Sequence, residues 1–347
     1  MPKIPTKHRQ DPPYAVQIEL VEGCSLNCTF CGVQGIRETR GGYKYMSEAT
    51  MDTLERALRI DMHERKWNPR LELAVHGEPT MHPELVAMVG KLGSLKPREL
   101  ILVTNGTGLC ANPNKTIPQL VQAGITSICM DEYDGCDYVA KFKKRYTGPV
   151  PVHSFTGDEP TKFRSGKPKA PYIVIKNDVS HLTTPYDKTN THCGGGGAPQ
   201  STNPAIAKRC AKPFRELTIR WDGNVSLCCN DFRGLYKVAN IADHDTLDGV
   251  WQHERFDAAR RMLYDGDRDF APCSWCDALS PRVGLLPDKY GKQTMPKPTE
   301  HTTAVLAGAV AGPAYTLPVL RGWEQDPDTT CLPAGYPVSD LATQSID

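Results

Sequence analysis

Two hydrophobic rhythms take turns along this chain from residue 14 to residue 178. Tyr14 to Gly23, YAVQIELVEG, alternates apolar and polar positions as a half-buried strand does, and it ends at Cys24. After Ser47, a helix N-cap residue type, Met51, Leu54, Ala57 and Leu58 recur at helical spacing. Leu71 to Val75 reads as a strand, followed by the loop His76 to Thr80, and Pro83 opens a helix that runs through Leu92. Leu100 to Val103 is a buried strand ending in Thr104-Asn105-Gly106. Ile117 to Ala123 is a helix stopped at Gly124, and Ile125 to Met130 is a strand ending near Asp131. Tyr138 to Tyr146 is helical, and Val150 to Ser154 and Tyr172 to Ile175 are two further strands.

Strands alternating with helices at this spacing imply a parallel sheet with helices outside it. Six strands are fewer than the eight of a closed barrel, so the pattern predicts an open, partial β/α barrel. Chemistry in such sheets gathers at the C-terminal strand ends. Cys24, Gly77, Asn105 and Asp131 all fall there.

Beyond residue 178 the rhythm stops. Residues 179–209 are polar, contain Gly194 to Gly197 in a row, and read as a flexible connection or a lid; His192 and Cys193 lie inside it. A second unit spans 210–280. Leu217 to Trp221 and Asn224 to Cys228 flank Asp222-Gly223 as a hairpin, Thr246 begins a helix through Val250, Trp251, Phe256 and Met262, and Cys273-Ser-Trp-Cys276 closes the unit. Residues 1–13 are an N-terminal extension, and 281–347 a Pro- and Gly-rich tail.

Charge changes this picture little. Over 347 residues the formal net charge is +1, so there is no broad basic field for nucleic acid. The cluster Lys141, Lys143, Lys144 and Arg145 reads as a solvated helix face. The first residues lack the apolar core of a secretion signal. Ala304 to Leu320, interrupted by Pro313 and Pro318, is a poor membrane span. Thirteen cysteines without such a signal fit a reducing compartment and metal ligation, and the expected location is the cytoplasm.

The cysteines carry the chemistry. Cys24, Cys28 and Cys31 are spaced C-x3-C-x2-C. Three such thiolates can hold three irons of a [4Fe–4S] cluster and leave the fourth open to a small molecule. Zinc is the competing reading, but it normally takes a fourth nearby ligand, and His8 has no motif relation to the three. The motif, followed by Gly32, resembles the signature of the radical S-adenosylmethionine (SAM) enzymes. That resemblance implies a (β/α)6 core whose open iron binds SAM. It also implies reductive cleavage to a 5′-deoxyadenosyl radical that abstracts a substrate hydrogen. Gly77-Glu78-Pro79 resembles the loop of that family which receives the SAM amino group, with His76 in place of its first glycine. Asn105 and Asp131 sit where the family's strands approach the cofactor. A turn that favours Asn-Gly for its positive φ is the alternative for Asn105.

Cys210, Cys228, Cys273 and Cys276 form a second set, suited to a fully ligated iron–sulfur cluster or to zinc. Cys210-Ala-Lys-Pro-Phe214 with Gly223-x4-Cys228 resembles the SPASM/Twitch extensions of radical SAM enzymes, and the short, one-cluster form fits. The spacing is close to that of the radical SAM dehydrogenases of aminocyclitol biosynthesis. Cys229 is an alternative ligand to Cys228. Asp231 is a candidate base for oxidation of a substrate radical, with a turn aspartate as the alternative. Cys110, Cys129, Cys136 and Cys331 read as ordinary thiols.

The resemblance thus implies an α/β chain, a partial (β/α)6 barrel followed by a small α+β SPASM/Twitch domain. It implies SAM, a SAM-binding [4Fe–4S] cluster and an auxiliary [4Fe–4S] cluster as cofactors, and an electron donor such as flavodoxin or ferredoxin. The expected reaction is a two-electron oxidation, for example of a sugar-like alcohol. Modification of a peptide side chain and a zinc-stabilised binding module remain as alternatives.

Overall fold

The computed structural model describes residues 10–26, 33, 42–132, 137–155, 170–176, 209–276 and 305. Cys28, Cys31, Cys136, His192, Cys193 and Cys331, with the 179–208 connection and most of the C-terminal tail, lie outside the described residues.

The alternating rhythms become a nine-stranded sheet. Its strands are β1 (Ala15–Ile18), β4 (Arg70–Leu73), β5 (Glu99–Thr104), β6 (Ser127–Asp131), β7 (Val152–Phe155), β8 (Tyr172–Lys176), β9 (Glu216–Ile219), β10 (Asn224–Ser226) and β11 (Lys237–Asn240), in the order β11-β10-β9-β1-β4-β5-β6-β8-β7. A separate ribbon pairs β2 (Val21–Glu22) with β3 (Lys44–Tyr45) antiparallel. Six parallel strands, β1, β4, β5, β6, β8 and β7, make the barrel wall.

The helices are α1 (Glu48–Glu64), α2 (Leu85–Ser94), α3 (Thr107–Cys110), α4 (Pro113–Gln122), α5 (Tyr138–Arg145), α6 (Leu247–Trp251) and α7 (Glu254–Asp265). Ser47 caps α1 as its residue type predicts, with Oγ accepting from the Thr50 N–H at 3.1 Å. The buried face of α1, Met51, Leu54, Ala57 and Leu58, joins a core that also takes in Val16 and Ile18 of β1, Leu71 and Leu73 of β4, and Leu100 and Leu102 of β5. Each such fully buried side chain contributes about 1.5–3 kcal/mol of hydrophobic stabilisation.

Three features depart from the sequence pattern. First, β8 lies between β6 and β7, so the last two barrel strands are not in chain order. Ile173, Val174 and Ile175 of β8 are buried, while Val152 of β7 is 39% exposed. The more apolar strand takes the covered position and the more polar one the edge. Second, the hairpin of the second unit does not form its own sheet. β9 pairs parallel with β1, Ala15 to Ile18 opposite Glu216 to Ile219, and β10 and β11 follow antiparallel. Third, the helix expected from Thr246 through Met262 is two helices. Gln252 ends α6, and its side chain donates to the Gln10 carbonyl oxygen at 2.8 Å while accepting from the Gln10 N–H at 3.0 Å. His253 then caps α7, its Nδ1 accepting from the Arg255 N–H at 3.2 Å.

Candidate metal centres

The chain leaves β2 at Gly23, directly before Cys24, and Gly23 forms a parallel bridge to Gly77. The Gly23 N–H donates to the His76 carbonyl at 3.1 Å, and the Glu78 N–H donates to the Gly23 carbonyl at 2.9 Å. A Cβ on Gly77 would overlap the Val21 carbonyl oxygen and sit 2.5 Å from that of Gly23, so only glycine permits this approach. Val75, at φ 85°, reverses the chain just before the loop. A β-branched residue held there stores on the order of 1–3 kcal/mol of strain at this junction.

Cys24 is half-buried. Its Sγ accepts from the Asn105 Nδ2 at 3.3 Å and from the Leu26 N–H at 3.4 Å, hydrogen bonds that a sulfur ligand of iron can keep. That donor set fits an iron ligand. Asn105 also donates from Nδ2 to Ser25 Oγ at 3.3 Å, and its Oδ1 accepts from the Thr107 N–H at 2.9 Å. Its amide therefore steadies the cysteine loop, and Gly106 beside it takes the positive φ, 86°, that the turn requires. Asp131 ends β6 opposite Lys176 and is half-buried.

Glu78 is buried and turned inward. Its Oε1 accepts from the Thr80 N–H at 3.0 Å, from Thr80 Oγ1 at 2.5 Å and from Thr104 Oγ1 at 2.6 Å, and its Oε2 from the Asn105 N–H at 2.7 Å. Burial nevertheless holds its carboxyl above the ordinary value, against those hydrogen bonds. The carboxylate ties the strand-end loops of β4 and β5 together, and Pro79 opens the short 3-10 turn Pro79–Met81 behind it. What the loop offers a ligand is thus its backbone.

His76, the departure from the resembled loop, is fully buried. Its Nε2 lies 2.7 Å from the Cys229 carbonyl oxygen and its Nδ1 2.9 Å from Glu19 Oε1. Arg220 joins the same network, with Nη2 donating to Glu22 Oε2 at 2.5 Å and Nη1 donating to the Asp231 and Phe232 carbonyls at 3.1 and 3.3 Å. Burial alone would push the Glu19 carboxyl up. The Arg220 guanidinium and the His76 hydrogen bond outweigh it and leave Glu19 below the ordinary value.

Cys210, Cys228, Cys273 and Cys276 are all buried and none is in a disulfide. Burial pushes the Cys228 and Cys273 thiols well up; Cys273 feels the charge of Cys228, Cys276 and Cys210, and Cys228 that of Cys229, Cys210 and Cys276. Four sulfurs that would repel one another as thiolates share one pocket, and a cationic metal core removes that repulsion, so the residues fit a fully ligated cluster. Among the described residues, no three His, Cys, Asp or Glu side chains are grouped so as to hold one metal ion. Cys229 stands apart. It is half-buried, and its Sγ accepts from Lys212 Nζ at 3.0 Å. Arg268 hydrogen-bonds Cys276 and is drawn to Cys210 and Cys273.

Asp231 is buried beside this pocket. Its Oδ1 accepts from the Leu235 N–H at 2.8 Å and its Oδ2 from the Tyr236 N–H at 2.9 Å. Both oxygens thus take part in the turn, as the turn-aspartate alternative expects. Sequence reasoning missed Glu19, Glu22, Arg220, Lys212 and Arg268. Lys212 left one signal, a charged residue two positions after a cysteine and directly before a proline. Glu19 and Glu22 meet Arg220 across separations of 201 and 198 residues and leave no local trace.

Residues 210–277 match the SPASM family model, an iron–sulfur cluster-binding domain. No curated protein matches the chain. Among solved structures, BtrN in complex with AdoMet and 2-DOIA is similar at 19% identity over 80% of this chain and 97% of that one, with a TM-score of 0.57. BtrN in an open conformation is similar at 18% identity over 79% and 96%, with a TM-score of 0.51. At this identity the likeness is one of fold. The SPASM-type extension expected from the second cysteine set is borne out by the family model, and the α/β barrel architecture by the shared fold. Among the described residues, no helix is long and apolar enough to cross a membrane.

Proposed function

We propose that this chain is a radical SAM oxidoreductase with one auxiliary cluster, acting on a small, sugar-like or cyclitol-like alcohol. The observation that carries the reading is the convergence of Cys210, Cys228, Cys273 and Cys276 in one buried pocket, joined through His76 to the loop beside Cys24. When bound, SAM and the cluster at Cys24, Cys28 and Cys31 supply a 5′-deoxyadenosyl radical, and the auxiliary cluster supplies an electron acceptor.

The chain's own residues position these groups. Asn105 orients the Cys24 sulfur, and Glu78 fixes the Gly77 backbone as a rigid edge whose carbonyls can receive an ammonium group. Glu19, Glu22 and Arg220 lock the Cys228 hairpin against that edge. BtrN was crystallised with 2-DOIA, and by analogy of fold this favours a small-molecule substrate.

The test is anaerobic purification and reconstitution, followed by iron and sulfide counting and by reduction with dithionite in the presence of SAM. About eight irons per chain and formation of 5′-deoxyadenosine are expected. Zinc in place of iron, with SAM left uncleaved, would overturn the reading in favour of a zinc-stabilised binding module.

A further inference from the structure

Lys212 is a buried ammonium with little reason to be where it is. It is 6% exposed, and removing such a charge from water costs several kcal/mol unless its partners are good. Its partners are Cys229 Sγ at 3.0 Å and Glu216 Oε2 at 3.6 Å, and it is also attracted to Cys228. The Lys212 backbone N–H meanwhile donates to Cys210. One residue thus reaches sulfur on both sides of the pocket. Arg268, also 6% exposed, addresses the remaining sulfurs by a hydrogen bond to Cys276 and by attraction to Cys210 and Cys273.

We propose that Lys212 and Arg268 set the electron affinity of the auxiliary cluster, making it a readier acceptor than four thiolates alone would. The inference deepens the function proposed above and rests on it. Four thiolates around a core of charge +2 sum to −2, and one added electron makes −3. A fixed cation in a low-dielectric pocket stabilises the more negative state more strongly. Hydrogen bonds to the ligand sulfurs act in the same direction. The electron balance is one for one: each substrate radical that loses its proton gives one electron to the cluster. Whether Cys228 or Cys229 is the ligand does not alter the argument, since Lys212 acts on both sulfurs. Arg268 bonds the Cys276 sulfur and the Lys212 ammonium the adjoining Cys229 rather than substrate, so they are positioning residues.

The experiment uses the full-length chain with Cys24, Cys28 and Cys31 replaced by Ala, so that only the auxiliary cluster loads. Its reduction is followed by electron paramagnetic resonance in a redox titration. Lys212→Met and Arg268→Met should each retain about four irons and lower the electron affinity about tenfold, a shift of ~59 mV to more negative potential. Lys212→Arg should stay near the parent. An intact four-iron cluster with an unchanged potential in both Met variants overturns the inference. If Lys212→Met fails to hold iron, Lys212→Gln keeps a donor without the charge, and the same criterion applies to it. A parent that binds no iron takes down the proposed function itself, an outcome separate from any shift in potential.

Discussion

The imidazole of His76 bridges to Cys229, its Nε2–H donating to the Cys229 carbonyl oxygen at 2.7 Å. Through this bond the loop beside one cysteine motif holds the hairpin that carries the other. The ring also packs against Phe232, with centroids 4.6 Å apart. His76→Phe preserves that packing and deletes both ring nitrogens, leaving the Cys229 carbonyl and the Glu19 carboxylate short of a partner. A loss of about 1–3 kcal/mol is expected. Urea denaturation of the two proteins checks it, and an unchanged midpoint would refute the bridging role.

Cys228 and Cys229 are neighbours with different surroundings. Cys228 is buried among the other three sulfurs, whereas Cys229 is half-buried against Lys212. Cys228→Ser should reduce the reconstituted iron content by about four per chain, the complement of one cluster. Cys229→Ser should leave it unchanged. Equal losses in both variants, or the reverse order, would reassign the ligand.

Asp231 receives two backbone N–H groups of its own turn. Asp231→Asn keeps one good acceptor and sets an NH2 group against the second donor. The expected destabilisation is about 0.5–1.5 kcal/mol, with Asp231→Ala larger. Thermal denaturation of the apoprotein reads this without any substrate, and wild-type midpoints in both variants would remove the turn assignment.

Asp61 sits on the buried face of α1. Burial pushes its carboxyl up to about 6, with repulsion from Asp248 and Glu64 adding to it. A raised carboxyl favours folding while protonated and loses that contribution as pH climbs toward 6. Asp61→Asn, which carries no charge at any pH, should therefore gain on wild type as pH rises from about 4 to about 6 and hold that gain at pH 8. Paired melting curves across that range check the sign. An advantage that shrinks with rising pH would contradict it.

Much of the fold was legible in local signals. Ser47 announced the start of α1, and Gly223, at φ 78°, announced the β9–β10 turn. Apolar periodicity placed the six barrel strands. The order of β7 and β8 was not legible, because it depends on which strand is covered, not on either strand's own alternation. The division between α6 and α7 was hidden for a related reason. Gln252 leaves the helix to satisfy the Gln10 backbone, at the far end of the chain. In the site, the close backbone approach at Gly77 could be read because it depends on residue type. The ties of the Glu78 carboxylate to Thr80, Thr104 and Asn105 could not be read, because these partners lie as many as 27 residues away.

The pairing of β9 with β1 ties the last part of the chain to the first. On the ribosome β1 emerges early, yet its neighbour on one side is far downstream: Gln17 and Thr218, opposed in register, are 201 residues apart. Until that segment is synthesised, the β1 edge stands open with Val16 and Ile18 beside it, an invitation to pair with another nascent chain. Iron delivered before β9 is made would meet a chain that still lacks Cys228, Cys273 and Cys276, so a complete second cysteine set exists only once this edge has a partner to close it.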